Sequence, residues 1–236
     1  MKRYLAIFIF LFTIVETHAQ LFTKEHVKYG VKLDEKRWSW GYFLGFNVYD
    51  FNFDYKSYDD NPYRGQDLQV ERNIGFNVGL LGNLKLHKNI DLRLQPGVNF
   101  NSRSFKPAGY SSSETYREIR STYVHIPLLL KISTNRVNNF KPFIEGGFSY
   151  SINLASNEDS PDDNSNGQFR MTTHNYYYEL GIGIDFYLYY FKFSPSIRGV
   201  FGLNDELVRD NNPNSIYTGN VAKMTSNAVF INFTFQ

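Results

Sequence analysis

The chain has no cysteine. That excludes disulfides, thiolate metal sites and a cysteine nucleophile. It also lacks a charge bias: 25 Lys and Arg stand against 23 Asp and Glu, so composition gives no electrostatic case for nucleic acid or an acidic partner. Tryptophan is scarce, with two residues. Beyond the first residues there is no apolar run of the roughly 20 needed for a helical membrane span. What is abundant is Phe (22) and Tyr (18) in a chain of 236 residues, set in alternating patterns.

The beginning of the chain has the order of a secretion signal. Lys2 and Arg3 are followed by the apolar stretch Tyr4 to Val15 and by Thr17-His18-Ala19, a small-x-small cleavage pattern. The expected organisation is a signal peptide over 1–19, a periplasmic segment rich in Lys and Glu over 20–39, and one barrel domain over 40–236. A short membrane anchor is the alternative, and with no Cys after the cleavage site a lipid anchor is excluded.

Period-two alternation then recurs about eight times. Tyr42, Leu44, Phe46 and Val48 share one face, as do Ile74, Phe76, Val78 and Leu80, and Ile90, Leu92, Leu94, Val98 and Phe100. The pattern continues through Val124–Ile132, Ile144–Ile152, Tyr178–Phe186 and Phe191–Phe201, and ends with Val229, Ile231, Phe233 and Phe235. One face of each segment is free of charge, as a strand against lipid requires. The connections alternate in length. Short ones fall near Gly82–Asn89, Thr134–Asn139 and Tyr187–Tyr190; long ones near Asn52–Leu68, Ser102–Ser121, Ala155–Thr173 and Asn204–Met224.

This predicts an all-β fold, an eight-stranded antiparallel up-and-down transmembrane barrel of the outer-membrane type, with both termini in the periplasm. A soluble lipocalin-like barrel has no reason to segregate loop lengths or to keep charge off one face. Trp38, Trp40, Tyr42, Tyr187, Tyr189 and Tyr190 are expected in a periplasmic aromatic girdle, and Tyr176 and Tyr178 in the outer one. Pro96, Pro142 and Pro195 remove ladder donors and are expected at bulges or strand ends.

The opposite faces place Asp91, Arg93, Lys131, Glu145, Glu179, Asp185, Lys192 and Arg198 in the lumen. They fit either a selective pore or proton relay, or a mutually neutralising network. The second is favoured, because eight strands leave room for side chains and little more. Asp162-Asp163-Asn164-Ser165-Asn166-Gly167 matches the first half of a calcium loop, but Thr173 stands where the bidentate Glu belongs. A turn-rich outer loop is therefore expected, with no metal and no cofactor. His125 faces the lumen and His174 lies where the third long loop meets a strand. Paired with a Ser and Glu179, either could in principle build a hydrolase. No local Ser motif accompanies them, and no enzyme is expected.

Particular strings go further than periodicity. Ser121-Thr122-Tyr123-Val124-His125-Ile126-Pro127-Leu128-Leu129-Leu130-Lys131 resembles a segment of outer-membrane barrels of Bacteroidetes. Ser156–Asn164, Tyr176–Gly181 with Phe191–Val200, and Asn204–Asp210 with Pro213–Ser215 and Thr218–Asn220 resemble the PorT/SprT family of the type IX secretion and gliding machinery. The resemblance implies a non-enzymatic outer-membrane component or assembly factor for export of cargo proteins, and of adhesins in gliding species. Implied partners are the bilayer and other secretion subunits, with no nucleic acid and no small-molecule substrate. Asp162, Asp163, Asn164, Asp205, Glu206, Arg209 and Asp210, in its distinctive charged loops, are the expected partner contacts. A small-solute pore is the alternative.

Overall fold

The computed structural model describes residues 29–30, 35–56, 68–107, 117–164, 169–212, 215 and 217–236. The expected signal peptide and most of the segment after it lie outside them. Ten strands are present among the described residues: β1 (Trp38–Tyr55), β2 (Leu68–Arg72), β3 (Ile74–His87), β4 (Ile90–Leu94), β5 (Gly97–Pro107), β6 (Arg117–Ser133), β7 (Phe140–Asn153), β8 (His174–Tyr187), β9 (Lys192–Gly202) and β10 (Val221–Phe235). β2 continues into β3 and β4 into β5, so the ten pieces make an antiparallel ring of eight, closed by the pairing of β1 with both β10 and β3.

The register fixes the geometry of the ring. Val48 pairs with Val229, Val229 with Gly199, Gly199 with Leu180, and Leu180 with Gly146. Gly146 pairs with Leu130, Leu130 with Leu92, Leu92 with Leu84, and Leu84 with Trp38. One circuit therefore descends β1 from residue 48 to residue 38, a stagger of ten for eight strands. That stagger tilts the strands by roughly 45°, the steep end of the usual range. No residue on this circuit is buried, so it traces an apolar spiral over the outer face. Exposed Leu44, Phe46, Phe76, Leu80, Leu128, Ile144, Phe148, Leu180, Ile182 and Ile231 lie on the same face. On β1 the apolar run ends above Val48, where Asp50, Asn52 and Asp54 follow on the same side.

Three details differ from the sequence reading. Gly82 to Leu86 belong to β3, so the first short connection is only Lys88–Asn89; the alternation of Asn83 and Lys85 with Leu84 and Leu86 carries the strand on. Pro142 and Pro195 sit inside ladders without a shift of register, whereas Pro96 falls at a strand end as expected, in the break between β4 and β5. Pro142 faces Ile184 and Pro195 faces Phe233, and the pairs on either side of Pro96 keep the same offset to β6. Their carbonyls still accept, Pro96 from Leu80 N at 2.9 Å and Pro142 from Thr134 N at 3.0 Å, so each proline forfeits one donor rather than a strand.

A bulge occurs instead at Asn73. The offset of β2 to β5 differs by one from that of β3 to β5, leaving Asn73 as the extra residue, and its Nδ2 donates to Ser102 Oγ at 3.2 Å. Above it, no ladder joins β1 to β2 among the described residues. Side chains tie that seam: Arg72 pairs with Asp50 at 3.0 Å, and Leu68 N donates to Tyr55 Oη at 2.9 Å.

Candidate functional site

The inward-facing positions fill the ring in layers. Nearest the short-turn end, Lys36, Lys85, Asp91, Lys141, Asp185 and Lys192 line a polar depression with Ser39, Asn83 and Tyr187.

Next comes an ion-pair layer. Arg93 from β4 reaches Glu145 on β7 at 3.2 Å and Asp185 on β8 at 3.8 Å. Lys131 from β6 is paired with Asp185, which also accepts from Ser194 Oγ at 2.7 Å. Arg198 from β9 lies 3.0 Å from Glu179 and 3.9 Å from Glu145. All six of these charged side chains are almost wholly buried, which is tolerable only because three cations meet three carboxylates. Phe143 lies beneath two of them, 4.0 Å from Lys131 Nζ and 5.0 Å from the Arg93 guanidinium. Its ring occupies the space a side chain at Gly183 would need, since a Cβ there would stand 2.4 Å from Phe143 Cζ.

Of the eight lumen charges expected from sequence, six thus interlock. Asp91 and Lys192 sit at the mouth. The alternation also puts Asn83 and Gln95 on the inward face, where they accept from Arg93 Nε at 3.2 Å and Arg198 Nη1 at 2.8 Å respectively.

His125 is buried beside this layer. Glu179 accepts from Nε2 at 2.7 Å, and Nδ1 is hydrogen-bonded with Ser151 Oγ at 2.5 Å. The structure therefore does assemble a Ser-His-Glu constellation. It lies sealed in the interior, with Ser151 and Glu179 both inaccessible, and Glu179 is already committed to Arg198. His174 is at the outer rim instead, stacked on Tyr150 with Nδ1 2.6 Å from its hydroxyl.

Above the charges lies an aromatic layer of Tyr49, Tyr123, Tyr177 and Phe230, with Tyr49 and Tyr123 stacked at 5.5 Å. Arg103 crowns it. Its guanidinium donates to Tyr123 Oη at 3.0 Å and Ser226 Oγ at 2.9 Å and lies 3.8 Å from the centre of Phe51. Arg103 continues the inward face of Asn99 and Asn101, so the period of two could have revealed it.

The long-loop end holds an apolar plug that the alternation did not disclose. Phe51, Phe105, Ile119 and Met224 from strands meet Phe169, Met171, Leu207 and Tyr217 from the last two loops. Polar anchors hold those loops down. Arg170 approaches Asp163 at 3.3 Å and Asp210 at 3.5 Å and donates to the Arg209 carbonyl at 2.8 Å. Asn164 Oδ1 accepts from Arg170 N at 2.7 Å.

Three residues expected to meet partners are therefore corrected. Glu206 and Asn164 are buried, and the Asp210 side chain is covered by Arg170, because each satisfies polar groups inside the cap. Asp162 and Arg209 are exposed, and Asp163 and Asp205 are partly so. Residues 165–167 of the half calcium loop lie outside the described residues. Among those described, no group of three or more acidic or His side chains converges as a metal site would need.

Comparison with curated proteins finds no match. Among solved structures, the outer membrane protein OprG from Pseudomonas aeruginosa is 15% identical, with a TM-score of 0.49, covering 83% of this chain and 94% of its own. The outer membrane protein AlkL in lipid bilayers is 11% identical at 0.40, covering 91% and 92%. The N-terminal barrel domain of OprF from Pseudomonas aeruginosa is 11% identical at 0.34, covering 83% and 97%. None of the three is similar enough to lend this chain an activity. Residues 18–208, however, match the family described as outer membrane protein beta-barrel domain, and the chain belongs to that family of outer-membrane β-barrels.

Proposed function

We propose that this barrel is shut along its axis and works by protein contact, as a non-enzymatic component or assembly factor of a type IX secretion apparatus. The observation that carries the closed reading is the layered interior. Among the described residues, ion pairs, an aromatic layer and an apolar plug follow one another along the axis. An eight-stranded ring is in any case too narrow for a folded cargo, so the role is accessory to the conduit. The secretion assignment rests on the PorT/SprT resemblance of Ser156–Asn164, Tyr176–Gly181, Phe191–Val200 and Asn204–Asp210.

In this reading the short turns and both chain termini face the periplasm, and the long loops face outward. Asp162 and Arg209, with the partly exposed Asp163 and Asp205, form the charged surface offered to a partner. The Ser151, His125 and Glu179 constellation is structural, because a sealed hydroxyl has no substrate to attack.

A second reading, a small-solute pore, has one observation in its favour. Part of the outer plug, Phe169, Met171, Leu207 and Tyr217, is carried by loops rather than strands. Swinging those loops aside opens the outer half but leaves the strand-borne ion-pair layer in place.

The test is export in a clean deletion strain. Cargo is quantified in medium, on the surface and in the periplasm, with a periplasmic marker for leakage. Loss outside with accumulation inside, restored by the wild-type chain, supports the proposal. Normal distribution removes the secretion role and moves the pore reading forward.

A further inference from the structure

We propose that the short-turn mouth of the barrel is a binding site for a phosphate-bearing anion. Lys36 ahead of β1, Lys85 of β3, Lys141 of β7 and Lys192 of β9 converge on one polar depression from separate parts of the ring. Asp91 and Asp185 are the carboxylates there, and Asp185 is already engaged by Lys131 and Arg93 in the layer above.

Taken together, mouth and ion-pair layer hold seven cationic side chains against four carboxylates. The deep layer is balanced, so the surplus of three positive charges belongs to the mouth. Lys36 is exposed and Lys85 and Lys141 are partly so, so water screens part of the surplus. Four ammonium groups drawn to one depression still repel one another, and a bound anion relieves that repulsion. The argument does not need these lysines to be idle: Lys85 and Lys192 make other interactions, and Lys141 Nζ donates to the Lys88 carbonyl at 3.3 Å.

The choice of lysine narrows the ligand. Ammonium groups on flexible stems act as point charges with rotatable donors and suit the several oxygens of a phosphate approached from different sides. The mouth also lies at the end of the barrel marked by exposed Trp38, Trp40, Tyr189 and Tyr190, the aromatic signature of headgroup depth. The phosphate could therefore be free, or belong to a lipid headgroup of the adjoining leaflet.

The experiment uses the mature chain refolded in octyl glucoside, which carries no phosphate. Inorganic phosphate is titrated and binding followed by calorimetry. Saturable binding is expected, weakened at least tenfold in Lys85→Gln/Lys141→Gln and unchanged in Lys223→Gln at the opposite end. Should the double variant fail to fold, Lys36→Gln, outside the strands, is expected to weaken binding as well. No saturable binding, or equal binding by the lysine variants, overturns the proposal. A second arm repeats the titration in phosphatidylglycerol nanodiscs. Suppression of phosphate binding there identifies the headgroup as occupant; unchanged affinity identifies the free anion.

Discussion

Glu206, carried by the loop after β9, reaches into the barrel so that its Oε2 accepts a 2.7 Å hydrogen bond from Ser226 Oγ on β10. Its other oxygen accepts from Tyr177 Oη at 2.9 Å and Ser226 N at 3.2 Å. One carboxylate thus ties the outer cap to two strands and answers the nearby charge of Arg103.

Removing that tie should loosen the cap before the barrel. Glu206→Ala leaves three buried donors unpaired, at a cost of roughly 3 kcal/mol or more. Trypsin cleavage at exposed Arg209 should accelerate, while the heat-dependent gel shift of the folded barrel persists. Glu206→Gln keeps an acceptor for Tyr177 and a donor for Ser226 Oγ, and should stay close to wild type.

The cap should also respond to pH from both sides. Burial holds Glu206 above the usual carboxylate range. Its contribution is therefore full below that range, about 4.3, and is lost as pH rises through the raised value. Thr173 holds Glu158 low. For Asp205, burial pushes upward, but the Met224 and Leu207 amides and Arg209 outweigh it and leave the group low. These two stabilise above the usual range and lose their contribution as pH falls through the lowered values. Hydrogen exchange of residues 203–212, corrected for intrinsic rates, should show slowest opening in mildly acidic solution. Glu206→Gln should flatten the neutral side and Asp205→Asn the acid side.

Glu145 is the hinge of the ion-pair layer, facing Arg93 and Arg198. Glu145→Gln strands excess positive charge in the interior and should cost about 3–5 kcal/mol in urea unfolding from micelles. An equal midpoint for variant and wild type would mean that water reaches this layer.

Two glycines separate packing inside from packing outside. Gly183→Val drives a side chain into Phe143 beneath Arg93 and Lys131, and should cost about 1–3 kcal/mol or more. Gly146→Ala meets Leu180 Cδ2 at 3.0 Å, a flexible tip on the lipid face, and the Glu179 carbonyl at 3.3 Å, and should cost less than Gly183→Val. Leu180→Arg, in the middle of that face, should cost about 2–4 kcal/mol in lipid.

How much of this was legible follows from range. The strands and their facing could be read because the alternation is local: Glu179 and Asp185 are inward for the same reason that Leu180 and Ile184 are outward. The interlock of six charges was legible as a set but not as partners, since Arg93 meets Glu145 across 52 positions of chain. Glu206 gave no signal, because an acidic residue in a charged loop looks like any solvated one until the fold brings Tyr177 and Ser226 beneath it. The apolar plug escaped for a related reason. Phe169, Met171 and Leu207 lie in irregular loops without a period, and only closure of the ring places them against Phe105 and Met224. The Asn73 bulge depends on matching β2 and β3 to β5, which one strand's own pattern does not contain.

The central claim is that the lumen is closed, and conductance tests it most directly. The purified barrel, inserted in a planar bilayer at neutral pH and moderate salt, is expected to give no stable open level, with conductance appearing only when the plug and the layer beneath are both opened, as in Phe105→Ala/Phe169→Ala combined with Arg93→Ala/Glu145→Ala. Stable unitary openings of the wild-type chain would contradict the account and make this barrel a pore.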